Sequence, residues 1–138
     1  MRRLVLMAVG AILAAAIALP VVAATPSGFA GTWSSIDPVD GSTQHLTVRG
    51  GPAHVQIQYV DEFATTCVDV GAPTTAFSGV LTGTISGNEM SAWFKVAGCG
   101  SRIVLRASDF FFWFFEYDPN TDTLWGAIND GPATWHRD

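Results

Sequence analysis

Apolar and polar residues alternate in short runs along residues 31–137, and turn-forming residues separate one run from the next. Such alternation is typical of strands that bury one face, and no stretch of this region shows a sustained helical period. Short strands joined by tight turns favour an antiparallel barrel or a barrel-like sandwich of about eight strands. The predicted strands are 31–36, 43–49, 53–60, 77–85, 89–96, 110–117, 123–128 and 133–137, with a further candidate at 102–106.

The best-defined predicted hairpin joins the fourth and fifth strands through a turn at 87–88. A two-residue turn sets the register of the pair, so that Ile85 opposes Met90 and Leu81 opposes Phe94. Both pairs are apolar and fall on one face, and the register therefore agrees with the buried face.

The second and third predicted strands also have one apolar and one polar face. The polar face carries His45 and His54, which we expect to lie in solvent, because no carboxylate or cysteine accompanies them as a further metal ligand. The sequence therefore predicts no metal site and no cofactor. The apolar residues on the opposite face are Leu46, Val48, Val55, Ile57 and Tyr59.

Six consecutive aromatic residues occupy 110–115. Strand side chains alternate between two faces, so one set of three rings can fill a core, and the other set must be covered or exposed. Residues 97–109, the start of the chain or a second sheet could supply the cover; an exposed set would mark a ligand or partner site. The pattern leaves open which set faces outward. The sets are Phe110, Phe112 and Phe114, and Phe111, Trp113 and Phe115; the candidate binding residues are Phe111, Trp113 and Phe115, together with Trp93 of the fifth strand.

The start of the chain has the pattern of a cleavable secretion signal. Arg2 and Arg3 precede an apolar run at 4–19, and small residues at 22–24 suit a signal peptidase that cuts after Ala24. A retained membrane anchor is the alternative, since a spanning helix needs about 20 apolar residues.

The predicted organisation is a signal peptide at 1–24 and a single β-barrel-like domain at 25–138. Cleavage would leave no stable membrane anchor and a secreted or periplasmic protein. Loss of the two leader arginines leaves five basic residues against twelve acidic ones, a net charge of −7. A surface of this charge repels nucleic acid, which we exclude as a partner.

Both cysteines, Cys67 and Cys99, belong to the predicted exported domain. Two cysteines in an exported chain most simply form one disulfide. The bond would close a loop of about 33 residues and contribute about 3.7 kcal/mol on the chain-entropy model.

No catalytic motif is recognisable, and no catalytic residue is predicted. A nucleophile elbow of the Gly-x-Ser-x-Gly kind is missing from the sequence. Asp61 and Glu62 are adjacent, so on a strand they point to opposite faces and cannot flank one bond. Residues 37–42 could ligate calcium, but we interpret them as a turn whose aspartates cap backbone amides.

Gly31, Thr32 and Trp33 open the first predicted strand, and Arg137 ends the last. These two ends resemble the calycins, the barrel proteins that include lipocalins, avidins and fatty-acid-binding proteins. In that group a Gly-x-Trp opens the first strand, and a basic residue packs across the tryptophan. The resemblance implies a barrel end closed by Trp33 and Arg137, with the guanidinium stacked on the indole. It carries over no ligand, and the chain also resembles small exported bacterial β-proteins.

Three functional hypotheses follow. The preferred one is non-catalytic binding of a small apolar or aromatic ligand in the barrel. The second is a protein-binding module, either an exported protease inhibitor or a subunit that docks or self-associates through the aromatic strand. The third, which we favour least, is a barrel enzyme that acts on an apolar substrate with His45 as its base.

Overall fold

The computed structural model describes residues 28–73, 75–109, 112–128 and 131–138, which form an antiparallel sheet and one short α-helix. The predicted signal peptide lies outside the described residues. Helix α1 spans Thr65–Asp69. The strands are β1 (Gly31–Ile36), β2 (Thr43–Gly51), β3 (His54–Asp61), β4 (Phe77–Ser86), β5 (Glu89–Cys99), β6 (Arg102–Arg106), β7 (Phe112–Asp118), β8 (Thr123–Ile128) and β9 (Gly131–Arg137).

The sheet closes into an antiparallel barrel. β1 pairs with β2 on one side and with β9 on the other, where Trp33 is opposite Arg137 and Ser34 is opposite His136. β4 also pairs with β5, so the order of strands around the barrel follows the order in the chain. The predicted all-β antiparallel barrel is confirmed, in its closed form.

β6 and β7 share one side of β5 and together occupy one of the eight positions in the barrel. β7 pairs with residues 89–93 of β5, and β6 pairs with residues 96–99. A 3₁₀ turn at Ala107–Asp109 separates them. The further strand predicted at 102–106 is therefore present, as the first part of an interrupted strand.

The β4–β5 hairpin has the predicted register. Ile85 pairs with Met90, and Leu81 pairs with Phe94, as a two-residue turn requires. The register then shifts between Val80 and Leu81. This irregularity re-aims the start of β4, and the sequence pattern did not reveal it.

The faces predicted for β2 and β3 are also confirmed. Val55 and Ile57 are fully buried, whereas His54 and Gln56, which alternate with them, are exposed. The interior of the barrel is rich in aromatic rings. Its buried aromatic residues are Phe29, Trp33, Tyr59, Phe77, Phe94, Trp113, Phe115 and Trp135.

Helix α1 has no counterpart among the sequence predictions, because its five residues are too few to show a helical period. An isolated helix of this length is unstable in water, and the fold holds it by a covalent bond. The predicted Cys67–Cys99 disulfide is confirmed and joins α1 to the end of β5. Within the described ranges, no helix is long and apolar enough to cross a membrane.

Candidate ligand-binding site

A cavity of about 360 Å³ lies at the end of the barrel remote from Trp33 and Arg137. The β1–β2 loop, the residues after β3 and helix α1 surround its mouth. Strands β3, β4, β5 and β7 supply its inner wall, and β6 adds Val104 and Leu105. Small-molecule pockets typically have volumes of roughly 300–1,000 Å³, so the cavity is large enough for a small ligand.

Four buried rings form the inner wall: Tyr59, Phe77, Phe94 and Trp113, which we call the aromatic cluster. The Trp113 ring stands edge-to-face with Tyr59 and with Phe94, at a centroid distance of 4.8 Å in each case. Phe77 stands edge-on to the same two rings, at 6.1 and 6.3 Å. These are the favoured geometries of aromatic pairs, so the wall is well packed.

Strand pairing explains why these rings meet. Trp113 pairs with Ala92 of β5, two residues before Phe94, and therefore shares its inward face. Gly79 of the adjacent β4 leaves space for the Phe94 ring, since a Cβ at this position would lie 2.4 Å from it. A larger residue at Gly79 would displace the ring.

The mouth of the cavity is acidic. Asp37, Asp40, Asp61 and Asp69 line it, and we call them the acidic rim. Asp61 is only 3% exposed and Asp37 is also buried, whereas Asp40 and Asp69 are exposed. No Lys, Arg or His of the described part of the chain lines this cavity.

Hydrogen bonds position the rim. The Ser42 hydroxyl donates to Asp61 at 2.6 Å. The Thr65 hydroxyl and backbone N–H donate to Asp40 at 3.1 and 3.2 Å, which ties the β1–β2 loop to α1. Burial raises the pKa of Asp61, and the charges of Asp40 and Asp37 raise it further. Burial would also raise the pKa of Asp40, but hydrogen bonds from Ser42 and Thr65 outweigh it and lower that pKa.

The loop at 37–42 is the predicted Asp-capped turn. Asp37 accepts a hydrogen bond from the Val39 N–H at 2.6 Å, and Asp40 accepts one from the Ser42 N–H at 3.0 Å. These bonds occupy one oxygen of each carboxylate with backbone donors, as expected of a turn.

Three buried side-chain atoms have no hydrogen-bond partner in the part of the chain that the structure describes: Gln44 Oε1, Trp113 Nε1 and Trp135 Nε1. Buried polar atoms are normally paired, so each of them is available to a further group. Trp113 belongs to the cavity wall, and the Gln44 side-chain amide donates to Asp37 of the rim at 2.6 Å.

The opposite end of the barrel is closed by Trp33 and Arg137. The Arg137 Cζ atom lies 4.0 Å from the centroid of the Trp33 ring. The guanidinium donates to the carbonyl oxygens of Gly28 and Ala30 at 2.7 Å each. It also donates two hydrogen bonds to Asp122, both at 2.8 Å. The contact implied by the resemblance is thus present.

The first residue of the Gly-x-Trp motif has a steric role at this end. Gly31 has a φ of 138°, which other residues rarely adopt. A Cβ at Gly31 would also lie 2.5 Å from an Arg137 nitrogen. Trp33 is held in place by its Nε1–H, which donates to the Phe29 carbonyl at 2.9 Å. The glycine therefore allows the arginine to reach the indole.

The structure does not bring the predicted binding residues together. Trp113 and Phe115 are buried inside the barrel, and Trp93 lies outside it, 38% exposed. Trp93 pairs with Phe112, so both share the outer face of the sheet. Phe111, like Phe110, lies outside the described residues.

Trp93 and Phe112 form an outer aromatic pair. Their ring centroids are 6.4 Å apart, with an interplanar angle of 11°. Phe112 is 60% exposed, and Phe114 on the same face is half-buried. This pair is a second surface with the chemistry of a contact site.

The histidines of the polar face lie away from the cavity. His45 is on the outside of β2, with Nε2 3.8 Å from a Glu62 carboxylate oxygen, and His54 is exposed. Among the described residues, no group of three or more His, Cys, Asp or Glu side chains could hold a metal ion. His45 instead borders a separate cavity of about 350 Å³, which Thr47 and Gln58 also line.

The sequence analysis did not predict that the acidic rim and most of the aromatic cluster line one cavity. Tyr59 and Phe94 were predicted to face the core, but as packing residues. Asp37 and Asp61 were assigned to a turn and to an unproductive acidic pair. The available signal was the inward parity of Tyr59 and Asp61, which are two residues apart on one strand.

Fold and cavity together define a small eight-stranded antiparallel barrel with one plugged end and one end that holds an aromatic-walled cavity. Comparison with protein-family models, with curated proteins and with solved structures gives no match to this chain. The function is therefore argued from the site itself.

Proposed function

We propose that this protein binds a small apolar or aromatic ligand, without catalysis, in the cavity at the open end of the barrel. The observation that carries the proposal is a cavity of about 360 Å³ walled by the aromatic cluster. Rings of this kind provide large apolar contact areas at low conformational cost. Trp113 Nε1, which is unpaired within the described chain, offers a donor to an acceptor on the ligand.

Two further features support an exported location and a relationship to the calycins. A disulfide persists in oxidising compartments, so the Cys67–Cys99 bond supports a secreted or periplasmic location. The stack of Arg137 on Trp33 supports a relationship to the calycins. Because fold similarity alone does not assign a ligand, the ligand class is taken from the cavity.

Uptake of the neutral dye N-phenyl-1-naphthylamine tests the proposal, because its emission rises in apolar surroundings. We expect a saturable rise with the parent protein. Thr66 lines the cavity from the exposed surface of α1, so Thr66→Trp should fill the mouth and abolish the rise. Val68, on the same helix, is exposed and does not line the cavity, so Val68→Trp is the matched control.

Two results would contradict this function. One is the absence of a saturable rise with the parent protein. The other is equal uptake by Thr66→Trp and Val68→Trp, which would show that the dye binds elsewhere on the surface.

A second candidate function is contact with a protein through the outer aromatic pair, including self-association. The observation in its favour is the exposure of Phe112 and its near-parallel stacking on Trp93. An exposed aromatic surface of this kind is common at interfaces. The test is the association state of Phe112 variants, given in the Discussion.

A further inference from the structure

The acidic rim gathers negative charge where charge is poorly solvated. Asp61 and Asp37 are both buried, and the neutral groups of Ser42 and Gln44 donate to them. Buried carboxylates normally pair with a cation, yet no basic side chain of the described chain lines the cavity. The rim carboxylates therefore lack a cationic partner among the described cavity residues, and a bound cation would stabilise their charged form.

An unpaired atom in the cavity wall gives independent evidence of a missing group, and a second unpaired atom adjoins the rim. Gln44 Oε1, one hydrogen bond away from Asp37, is a buried acceptor without a donor in the described chain. Trp113 Nε1, in a side chain that is only 2% exposed, is a buried donor without an acceptor there. A buried donor or acceptor left unpaired is unfavourable, because it has lost its hydrogen bonds to water. Trp113 lines the cavity and Gln44 does not, so a ligand in the cavity that accepts a hydrogen bond would satisfy the Trp113 donor.

The aromatic cluster suits the same kind of ligand. Tyr59 connects the two regions, because its ring contacts Trp113 and its hydroxyl lies 3.4 Å from Asp61. Aromatic faces attract cations, most strongly where water is excluded. Tyr59 therefore contacts both the acidic rim and the rest of the aromatic cluster.

From these contacts we infer that the natural ligand is a small aromatic amine, with its protonated amine at the acidic rim and its ring against the aromatic cluster. This inference rests on the proposed function and specifies the ligand class. The amine donates hydrogen bonds to Asp61 and its neighbours, and a polar substituent on the ring accepts one from Trp113.

Three probes with the same 2-(4-hydroxyphenyl)ethyl skeleton test the inference by isothermal titration calorimetry at pH 7.5. They are tyramine, 2-(4-hydroxyphenyl)ethanol and 3-(4-hydroxyphenyl)propionate, whose terminal groups are a cationic ammonium, a neutral hydroxyl and an anionic carboxylate. Opposite charges about 4 Å apart attract each other appreciably at an effective dielectric constant of about 20, although their desolvation offsets part of the attraction. We expect tyramine to bind at least about tenfold more tightly than the alcohol, and the propionate to bind most weakly.

Two variants locate the charge preference. Asp69 is exposed and outside the hydrogen bonds that hold the rim, so Asp69→Asn should fold normally and weaken tyramine binding about threefold. Asp61→Asn should weaken it about tenfold, since a buried charge is less screened. Glu89→Gln, an exposed charge change on the hairpin at the other end of the barrel, is the matched control.

Equal affinities for tyramine and the alcohol would overturn the inference and leave the proposed function standing. Equal tyramine affinities of Asp69→Asn and Glu89→Gln would also overturn it, because the charge would then act from outside the rim. If none of the three probes binds, the inference fails, and uptake of the neutral dye separately decides the proposed function.

Discussion

At the plugged end of the barrel, the guanidinium of Arg137 covers the Trp33 indole and makes a bidentate pair with Asp122. A lysine could stack or pair, but it has no planar fork with which to do both. The hydrogen bond from Arg137 is the main reason why the pKa of Asp122 lies below its ordinary value. Arg137 therefore contributes through its planar geometry as well as its charge.

Replacement of Trp33 by Ala should lower the free energy of unfolding by roughly 3–5 kcal/mol, the usual cost of truncating a fully buried large aromatic residue. Arg137→Ala should cost less, because the guanidinium is partly solvated. Trp125 is 47% exposed on the outside of β8, so Trp125→Ala is the matched control. Chemical denaturation measures all three, and a Trp33→Ala protein as stable as the parent would show that the ring does not plug the barrel.

Asp61 should leave a signature in the pH dependence of stability. Its pKa is raised in the folded state by burial and by the charges of Asp40 and Asp37. Between the ordinary value of 3.8 and the raised value, the folded protein binds more protons than the unfolded chain. Asp61 therefore makes the free energy of unfolding fall as the pH rises through this window, and its effect is constant above it.

In Asp61→Asn this contribution is absent, so the free energy of unfolding of the variant relative to the parent should increase from about pH 4 upward and then level off. Denaturant titrations from about pH 3.5 to about pH 8 check this, because the range begins near the ordinary pKa of an aspartate and extends well above it. Glu89→Gln serves as the control for loss of a carboxylate. Parallel pH profiles of parent and Asp61→Asn would contradict the expectation.

At the scale of elements, β7 is the strand whose two faces differ most. Phe115 is fully buried and stands edge-on to Trp135 at 6.2 Å, whereas Phe112 lies on the outer face beside Trp93. The inward set of the described rings is thus Trp113 and Phe115. Because side chains alternate along a strand, β7 places Phe115 in the core and Phe112, three residues earlier, on the surface.

The two faces of β7 should respond differently to mutation. Phe115→Ala should lower the free energy of unfolding by roughly 3–5 kcal/mol through cavity formation. Phe112→Ser should change it by less than about 1 kcal/mol, since it removes an exposed ring, and should shift any self-association seen by size-exclusion chromatography. Equal large losses at both positions in a protein that stays monomeric would show that both faces are structural core, and the outer aromatic pair would lose its proposed contact role.

At the scale of the whole molecule, the disulfide connects stability to the site. Cys67 lies in α1, two residues before Asp69 of the rim, and Cys99 ends β5. The closed loop of about 33 residues contributes about 3.7 kcal/mol on the chain-entropy model. Because the bond holds a five-residue helix at the mouth of the cavity, it positions one side of the rim as well as stabilising the fold.

The two ends of the barrel differ in how their central carboxylates are paired. At the plugged end, Arg137 and Asp122 compensate each other at 2.8 Å. At the open end, the rim carboxylates meet no basic side chain among the described cavity residues. The rim carboxylates would therefore attract a cationic ligand at the mouth of the cavity.

Local features of the sequence determined most of the strands, the β4–β5 register, the inward faces of β2 and β3, and the disulfide. Alternation with period two, turn residues at 87–88 and the presence of two cysteines act over a few residues or leave one simple solution. For the same reason, the sequence analysis interpreted the cavity residues only through their near neighbours. Asp61 was considered with the adjacent Glu62, and Phe94 with its hairpin partner Leu81.

Only the tertiary structure decided which face of β7 turns inward, that β6 and β7 share one side of β5, and that Asp61, Trp113 and α1 meet around one cavity. These features depend on pairings between strands that are distant in the chain, and a shift of one residue in such a pairing exchanges the two faces of a strand. The alternation of an all-aromatic strand is the same in either register, so its sequence could not distinguish the core from the surface. The Trp113–Ala92 pairing did so, because it aligns β7 with the inward face of β5.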